Sequence, residues 1–289
     1  MSSKQIPFEK FHGNGNDFIF FEKTFENSFA TEEQLKDFVR HTCHRNFGIG
    51  ADGVLFVDDS QKIISIFNSD GSTAATCGNA LRCYGLRLLK NKLWDGKTPL
   101  EIKDTQKNKI ATLWEGSSKT KKIEVAMGQE SRVEIFPVEE NPFFAPSSLL
   151  CVFVQLANSH LVFLHEKFSQ FNQEHYQAFG QWAQKALGNH NINMIHCPSF
   201  DKQKNSSLST GSLTVYERGA GLTLCCGSGA VASRVALEKL GFVNPNQSHF
   251  CFQLAGGELD ISFRNIDEKK IWTLKGPAQK VYEGSIPWH

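Results

Sequence analysis

The sequence has no surplus of either charge. Across 289 residues, 31 Lys and Arg stand against 30 Asp and Glu, a formal net charge of +1. Charges so balanced and so well mixed create no field for a phosphate backbone or an anionic bilayer, which argues against nucleic acid and membrane partners. The one basic knot, KTKK at 119–122, follows Ser-Ser and reads as a solvated loop entering a strand. No run approaches the roughly 18 apolar residues of a membrane span. The opening MSSKQIPFEKFHG carries no apolar export signal, so a cytoplasmic protein is expected. Paired C-x-x-C motifs are also lacking, and HTCH at 41–44 has no second cluster at finger spacing, so no metal site is expected. In a reducing compartment the eight cysteines are expected as thiols rather than as a disulfide framework.

What is present describes a globular protein: 40% hydrophobic residues, 21% charged, and 24 phenylalanines to fill a core. The length exceeds a usual single domain and predicts two compact units. Short apolar runs bounded by Gly, Asn, Asp and Pro read as strands: FIFFE at 18, GVLFV at 53, IISIF at 63, LVFL at 161 and LTVYE at 213. The two best helical stretches begin alike, CGNALRCYGLRLLK at Cys77 and CGSGAVASRVALEKLG at Cys226, the second ending at Gly241, a good helix-terminating residue.

Laying one helix start on the other pairs Cys77 with Cys226, an offset of 226 − 77 = 149. The same offset places Ile66, Phe67 and Asn68 on Val215, Tyr216 and Glu217. Asn16 pairs with Asn158 at 158 − 16 = 142, and Gly128 with Gly276 at 276 − 128 = 148. Landmarks in one order at nearly one spacing imply a duplicated unit of half the chain, hence two similar α/β domains with a boundary near Gly128 to Pro137. Two facing copies would bring two cysteine-bearing helix starts to a shared cleft, where small ligands commonly bind.

A cysteine just ahead of a helix has unpaired main-chain N–H groups and partial positive charge nearby, which favours its thiolate. Lowering a thiol from about 8.5 by two units requires about 2.7 kcal/mol, and a helix end supplies about 0.3–1 kcal/mol. Other polar groups must help, and His160 and Glu217 follow apolar strands at corresponding places in the second half. Two acid–base groups of one kind on opposite sides suit racemisation or epimerisation: one thiolate takes the α-proton and the other thiol returns one. Their titrations would be coupled, leaving one base and one acid.

An ordered set of motifs resembles the diaminopimelate epimerase family: FHGNGNDF at 11–18, GIGADG at 48–53, FNSDGSTAATCGNALRC at 67–83, ANSH at 157–160, NIN at 191–193, YERGAG at 216–221, CGSGA at 226–230 and GPAQKVYEG at 276–284. The resemblance implies two pseudosymmetric domains of α/β (α+β) class, each a mainly antiparallel sheet curled around a central helix, with no cofactor. The first would span 1–130, with 276–289 returning to it, and the second 131–275. It implies Cys77 and Cys226 as base and acid, assisted by His160 and Glu217. Asn16, Asn68, Asn158, Asn191, Glu217 and Arg218 would hold the substrate, and main chain at Gly78, Asn79, Gly227 and Ser228 its reacting carboxylate. It also implies an amino acid substrate from lysine and peptidoglycan precursor synthesis, and a homodimer with Tyr282 at the contact.

Four positions depart from the family pattern: Leu222 where glutamate is common, Ser159 for proline, Cys225 for alanine and Ala80 for glycine. GIGADG also fits G-x-G-x-x-G, but the strand-like VLFV follows where a dinucleotide-binding helix should start. HGNGND lacks the lysine of a phosphate loop and reads as a tight turn presenting Asn16. Two other readings stay open: a racemase of another amino acid such as histidine or glutamate, and a non-catalytic ligand-binding or thiol-sensing protein.

Overall fold

Asn14 and Gly15 take positive φ, 52° and 86°, in a computed structural model that describes residues 4–74, 76–145, 149–196 and 208–288. A two-residue Asn-Gly loop of that handedness matches the twist of paired strands, and it joins β1 (Lys4–Gly13) to β2 (Asn16–Glu22). Then follow α1 (Lys23–Glu26) and α2 (Glu32–Cys43), the latter capped by Thr31, which accepts from the Gln34 N–H at 3.2 Å. Next come β3 (Gly53–Asp58), β4 (Ile63–Asn68), α3 (Gly78–Lys90), β5 (Leu100–Lys103), β6 (Lys109–Gly116) and β7 (Lys122–Gly128).

The second half runs β8 (Arg132–Val138), β9 (Leu149–Gln155), β10 (Ser159–Leu164), α4 (Gln173–Leu187), β11 (Asn191–His196), β12 (Thr210–Glu217), β13 (Gly221–Thr223), α5 (Gly227–Lys239), β14 (His249–Leu254), β15 (Gly257–Ile266), β16 (Lys269–Pro277) and β17 (Gln279–Trp288). The chain divides into two compact units, Met1–Ala126 with Gly276–His289, and Met127–Lys275.

Strand pairing makes the duplication explicit. In the first unit the neighbours are β17-β1-β2-β3-β4-β5-β6-β7, related in turn as antiparallel, antiparallel, parallel, antiparallel, parallel, antiparallel, antiparallel. In the second unit β8-β9-β10-β11-β12-β14-β15-β16 repeats that series without a change. The mixed, mainly antiparallel α/β class is therefore the observed one. β8, which follows β7, completes the second unit beside β9, and β17, which follows β16, returns to complete the first beside β1.

α3 and α5 are buried almost all round, from Gly78 to Leu88 and from Gly227 to Leu237 apart from half-buried Ser228. A helix enclosed on every side belongs inside its layers rather than on a surface. Both end in the same motif. Gly241 (φ 79°) and Phe242 donate to Glu238 and Leu237 carbonyls at 3.0 and 2.9 Å, and Lys92 (φ 59°) and Leu93 donate to Leu89 and Leu88 at 3.1 and 2.8 Å. The offset 241 − 92 is again 149.

Apolar residues of α5, including Val231 and Val235, pack with Phe250, Phe252 and Trp272. A second cluster in that unit gathers Phe144, Phe163, Phe168 and Phe179. In the first unit Trp288, near the end of β17, stands against Phe25, Phe29 and Phe38 with ring centroids 5.3, 4.9 and 5.6 Å away. β17 thus contributes both a ladder along β1 and an aromatic anchor. Deleting residues 279–288 is expected to bare the β1 edge and to strip amide protection from β1 and β2, while α5 stays protected. Hydrogen exchange read by mass spectrometry checks this.

Candidate active site

Each cysteine of the pair is the N-cap of its unit's enclosed helix, with similar extended backbone: φ −148°, ψ 113° at Cys77 and φ −127°, ψ 112° at Cys226. The next two residues are Gly78 and Asn79 in one unit, Gly227 and Ser228 in the other, so both helix starts present first-turn N–H groups behind a sulfur. The glycines have packing reasons. A methyl on Gly227 would lie 2.7 Å from Leu274, and one on Gly229 would lie 2.4 Å from Asn193 Oδ1, against the side chains over which α5 is laid.

In the first unit the buried Asn79 side chain donates to Asn16 Oδ1 at 3.0 Å, and Asn16 Nδ2 donates to Asp52 Oδ2 at 2.7 Å. Asp52 in turn accepts from the Asp17 N–H at 3.1 Å and from Arg45 at 2.8 Å. Asp17 is bound by Arg45 and Lys10, both at 2.9 Å. Burial pushes the Asp17 carboxyl up, but its hydrogen bonds from Arg45 and Lys10 outweigh that and hold it below its ordinary value. The chain of partners fixes which way the Asn16 amide faces and leaves one of its N–H groups for a ligand. Asn68, exposed at the end of β4, donates to Ser72 Oγ at 2.9 Å.

In the second unit Cys226 is buried, its sulfur 3.5 Å from Ser228 Oγ. Burial pushes its thiol well above the ordinary value, and the charge of Glu217 pushes the same way. The Ser228 hydroxyl and Gly229 N–H oppose them without prevailing. The helix start therefore does not by itself make Cys226 a thiolate, as the energy comparison anticipated, and Glu217, expected to assist ionisation, instead opposes it because its negative charge disfavours a second one beside it. Desolvation and a neighbouring carboxylate are larger than a helix end's contribution of about 0.3–1 kcal/mol. Glu217, the last residue of β12, accepts from Thr223 Oγ1 at 2.6 Å.

His160 and Asn191 stand opposite one another on the parallel strands β10 and β11. His160 is fully buried, and burial pulls its pKa down to about 3, so the imidazole is neutral. The Arg218 N–H donates to Asn191 Oδ1 at 2.9 Å, while the Arg218 and Asn158 side chains are exposed. Ser159 Oγ lies 2.7 Å from His190 Nδ1. Leu222 packs on the aromatic cluster that includes Tyr216 and Phe179, so apolar contact replaces the charge common there. Cys225 and Ala80 are buried, Cys225 among the apolar residues around α5. Tyr282, on β17, is partly exposed, with its ring edge-on to Phe8 at 5.9 Å.

The diaminopimelate epimerase family model matches residues 8–133. A diaminopimelate epimerase of Methanocella arvoryzae is 32% identical over 295 residues, covering 98% of this chain and 97% of the relative. One of Prochlorococcus marinus (strain NATL2A) is 31% identical over 297 residues, covering 96% and 98%. The chain belongs to the diaminopimelate epimerase family.

It is an isomerase. Among solved structures, a Bacillus anthracis phenazine biosynthesis protein of the PhzF family superposes with a TM-score of 0.71 at 13% identity, covering 98% of this chain and 99% of that one. A hydroxyproline epimerase of Agrobacterium vitis gives 0.62 at 11%, covering 99% and 92%. At those identities the likeness is one of fold. No helix among the described residues is long and apolar enough to cross a membrane, and those residues contain no cluster of three or more His, Cys, Asp and Glu side chains placed to hold a metal ion.

Sequence reasoning passed over Asp52, Thr223, Asn193 and Gly229. All four lie in or beside the motifs already quoted; the partners of Asp52, Asn193 and Gly229 are distant in the chain, while that of Thr223 is six residues away across the turn from β12 to β13. Because the Glu217 charge raises the Cys226 thiol, Glu217→Gln is expected to lower it. The pH midpoint for alkylation of Cys226, followed by mass spectrometry, then moves to lower pH, and an unmoved or higher midpoint contradicts the assignment.

Proposed function

We propose that this member of the family interconverts LL-2,6-diaminopimelate and meso-diaminopimelate without a cofactor, supplying lysine and peptidoglycan precursors in the cytoplasm. In this reading the thiolate of one cysteine takes the α-proton from one face of the substrate, leaving the electron pair on carbon. The thiol of the other, Cys77 or Cys226 according to direction, delivers a proton to the opposite face. No oxidation occurs and the two sulfurs end in exchanged protonation states. Main-chain N–H groups at Gly78, Asn79, Gly227 and Ser228 hold the reacting carboxylate and the charge that develops on it. Arg218 takes the distal carboxylate in a two-pronged contact, and Asn16, Asn68, Asn158 and Asn191 fix orientation.

The observation that supports this reading is the equivalence of the two cysteines: each is the N-cap of the enclosed helix in one of two units with the same strand series. Glu217 gives the chemistry its timing. Burial first and the Glu217 charge second hold the Cys226 thiol protonated, and a substrate ammonium beside that carboxylate would offset the charge and make the thiol more acidic when there is a proton to move. His160 and Glu217 thus act on the cysteine and on the ammonium rather than directly on the α-carbon.

Incubation with single stereoisomers in deuterated water tests the assignment. LL- and meso-diaminopimelate should exchange and invert the α-proton, and Cys77→Ala and Cys226→Ala should each lower inversion by at least about 10²-fold. Exchange confined to another amino acid would make the protein a different racemase. Inversion that survives both alanine variants would remove the cysteines from the mechanism. We also propose a homodimer contacting through β17, where Val281 and Tyr282 are exposed. Tyr282→Ala should shift sedimentation from dimer toward monomer, and an unchanged profile counts against that contact.

A further inference from the structure

We propose that Asn193 is a positioning residue that fixes His160 in one tautomer, so that His160 serves as a neutral hydrogen-bond donor and not as a base. Asn193 lies on β11 two residues beyond Asn191 and is completely buried. Its Nδ2 faces three groups: the Leu161 carbonyl at 3.2 Å, the Asn191 carbonyl at 3.3 Å and His160 Nδ1 at 3.2 Å. Two of these are main-chain carbonyls, which only accept, so the NH2 end of the amide must point this way. An NH2 group brings no lone pair to an imidazole, so His160 Nδ1 must accept and the ring proton must sit on Nε2.

The rest of the ring's surroundings fit that assignment. His160 is without exposure and neutral, since burial pulls its pKa far down. Nε2 is buried and makes no hydrogen bond among the described residues. A buried N–H left without a partner is costly by about 1–3 kcal/mol, which marks it as a group held for an acceptor that arrives. With Nδ1 engaged and Nε2 protonated, the neutral ring has no lone pair with which to take a proton. What it can offer is one N–H to an anion, and both a thiolate and a substrate carboxylate have that chemistry.

Asn193 also packs closely against the first turn of α5, its Oδ1 making no hydrogen bond among the described residues. A methyl on Gly229 would lie 2.4 Å from Asn193 Oδ1, 3.3 Å from Cys226 Cβ and 3.4 Å from Cys226 Sγ. The amide that sets the tautomer is thus wedged against the first turn of α5, beside the sulfur. Glycine at 229 is what allows this approach, and any side chain there would displace the amide or the helix. The sequence gives Asn193 no distinguishing sign beyond its place in NIN.

The catalytic part of this inference rests on the epimerase reading, whereas the tautomer does not. Nitrogen-15 NMR of the full-length protein, with His160 assigned by substitution, reads the two ring nitrogens separately. The expected spectrum has a protonated Nε2 and an unprotonated Nδ1, unchanged between about pH 5 and about pH 8. Asn193→Asp keeps the side-chain shape but places a carboxylate opposite Nδ1. It should draw the proton to Nδ1 or produce an imidazolium, and lower kcat for diaminopimelate inversion by about 10²-fold with KM within about threefold.

A protonated Nδ1 or an imidazolium in the unmodified protein at neutral pH overturns the proposal, whatever the activity. So does Asn193→Asp with a switched tautomer and full kcat. If the unmodified protein inverts no diaminopimelate, the epimerase reading fails on its own, and the spectra still decide the tautomer. In that case Asn193→Gln, with the Nε2–H signal retained at partial occupancy, supports the positioning role, and an unaltered Nε2–H signal in Asn193→Leu refutes it.

Discussion

Everything at the candidate site depends on two helices being enclosed on all sides. A helix inside its layers must satisfy its own main chain and can show polar groups only at its ends. α3 and α5 end alike at their C-termini, where reversed backbone at Lys92 and Gly241 ties off the last carbonyls. Their N-termini are left as the sites where N–H groups face outward, and there each chain copy sets a cysteine. The packing that buries the helices is therefore also what aims the sulfurs.

Enclosure has an opposite electrostatic consequence. The same burial that holds α5 takes water from Cys226, and with Glu217 beside it the thiol is held well above its ordinary value. A resting enzyme with a protonated, shielded thiol is protected from adventitious alkylation and oxidation, since the thiolate is the reactive form. In the epimerase reading proposed above, reactivity then comes with the ligand, through the charge a ligand brings to Glu217. His160, neutral and fully desolvated, belongs to the same arrangement: a group kept from protonation by its surroundings.

Much of this was legible in the residues. The strand-forming runs lie in β2, β3, β4, β10 and β12, and the two helices begin one residue past Cys77 and Cys226. Asn68 and Glu217, paired by the offset of 149, are the last residues of β4 and β12. What could not be read was any interaction between groups far apart in the chain. Asp52 matters because it meets Asn16, and Asn193 because it meets His160 and Gly229. The return of the last strand to the first unit was implied by the family resemblance alone, since β8 and β17 look alike as exposed strands until their neighbours are known.

The sequence alone determined the duplication, the two cysteine N-caps and the family, because these are written as local patterns and spacings that survive without coordinates. Tertiary structure decided the ionisation of the groups it surrounds. Whether Cys226 is a thiol, His160 neutral or Asp17 charged follows from how much water each has lost and which dipoles replaced it. Those quantities arise only when β11, β12 and α5, or β1, β2 and β3, close around a side chain.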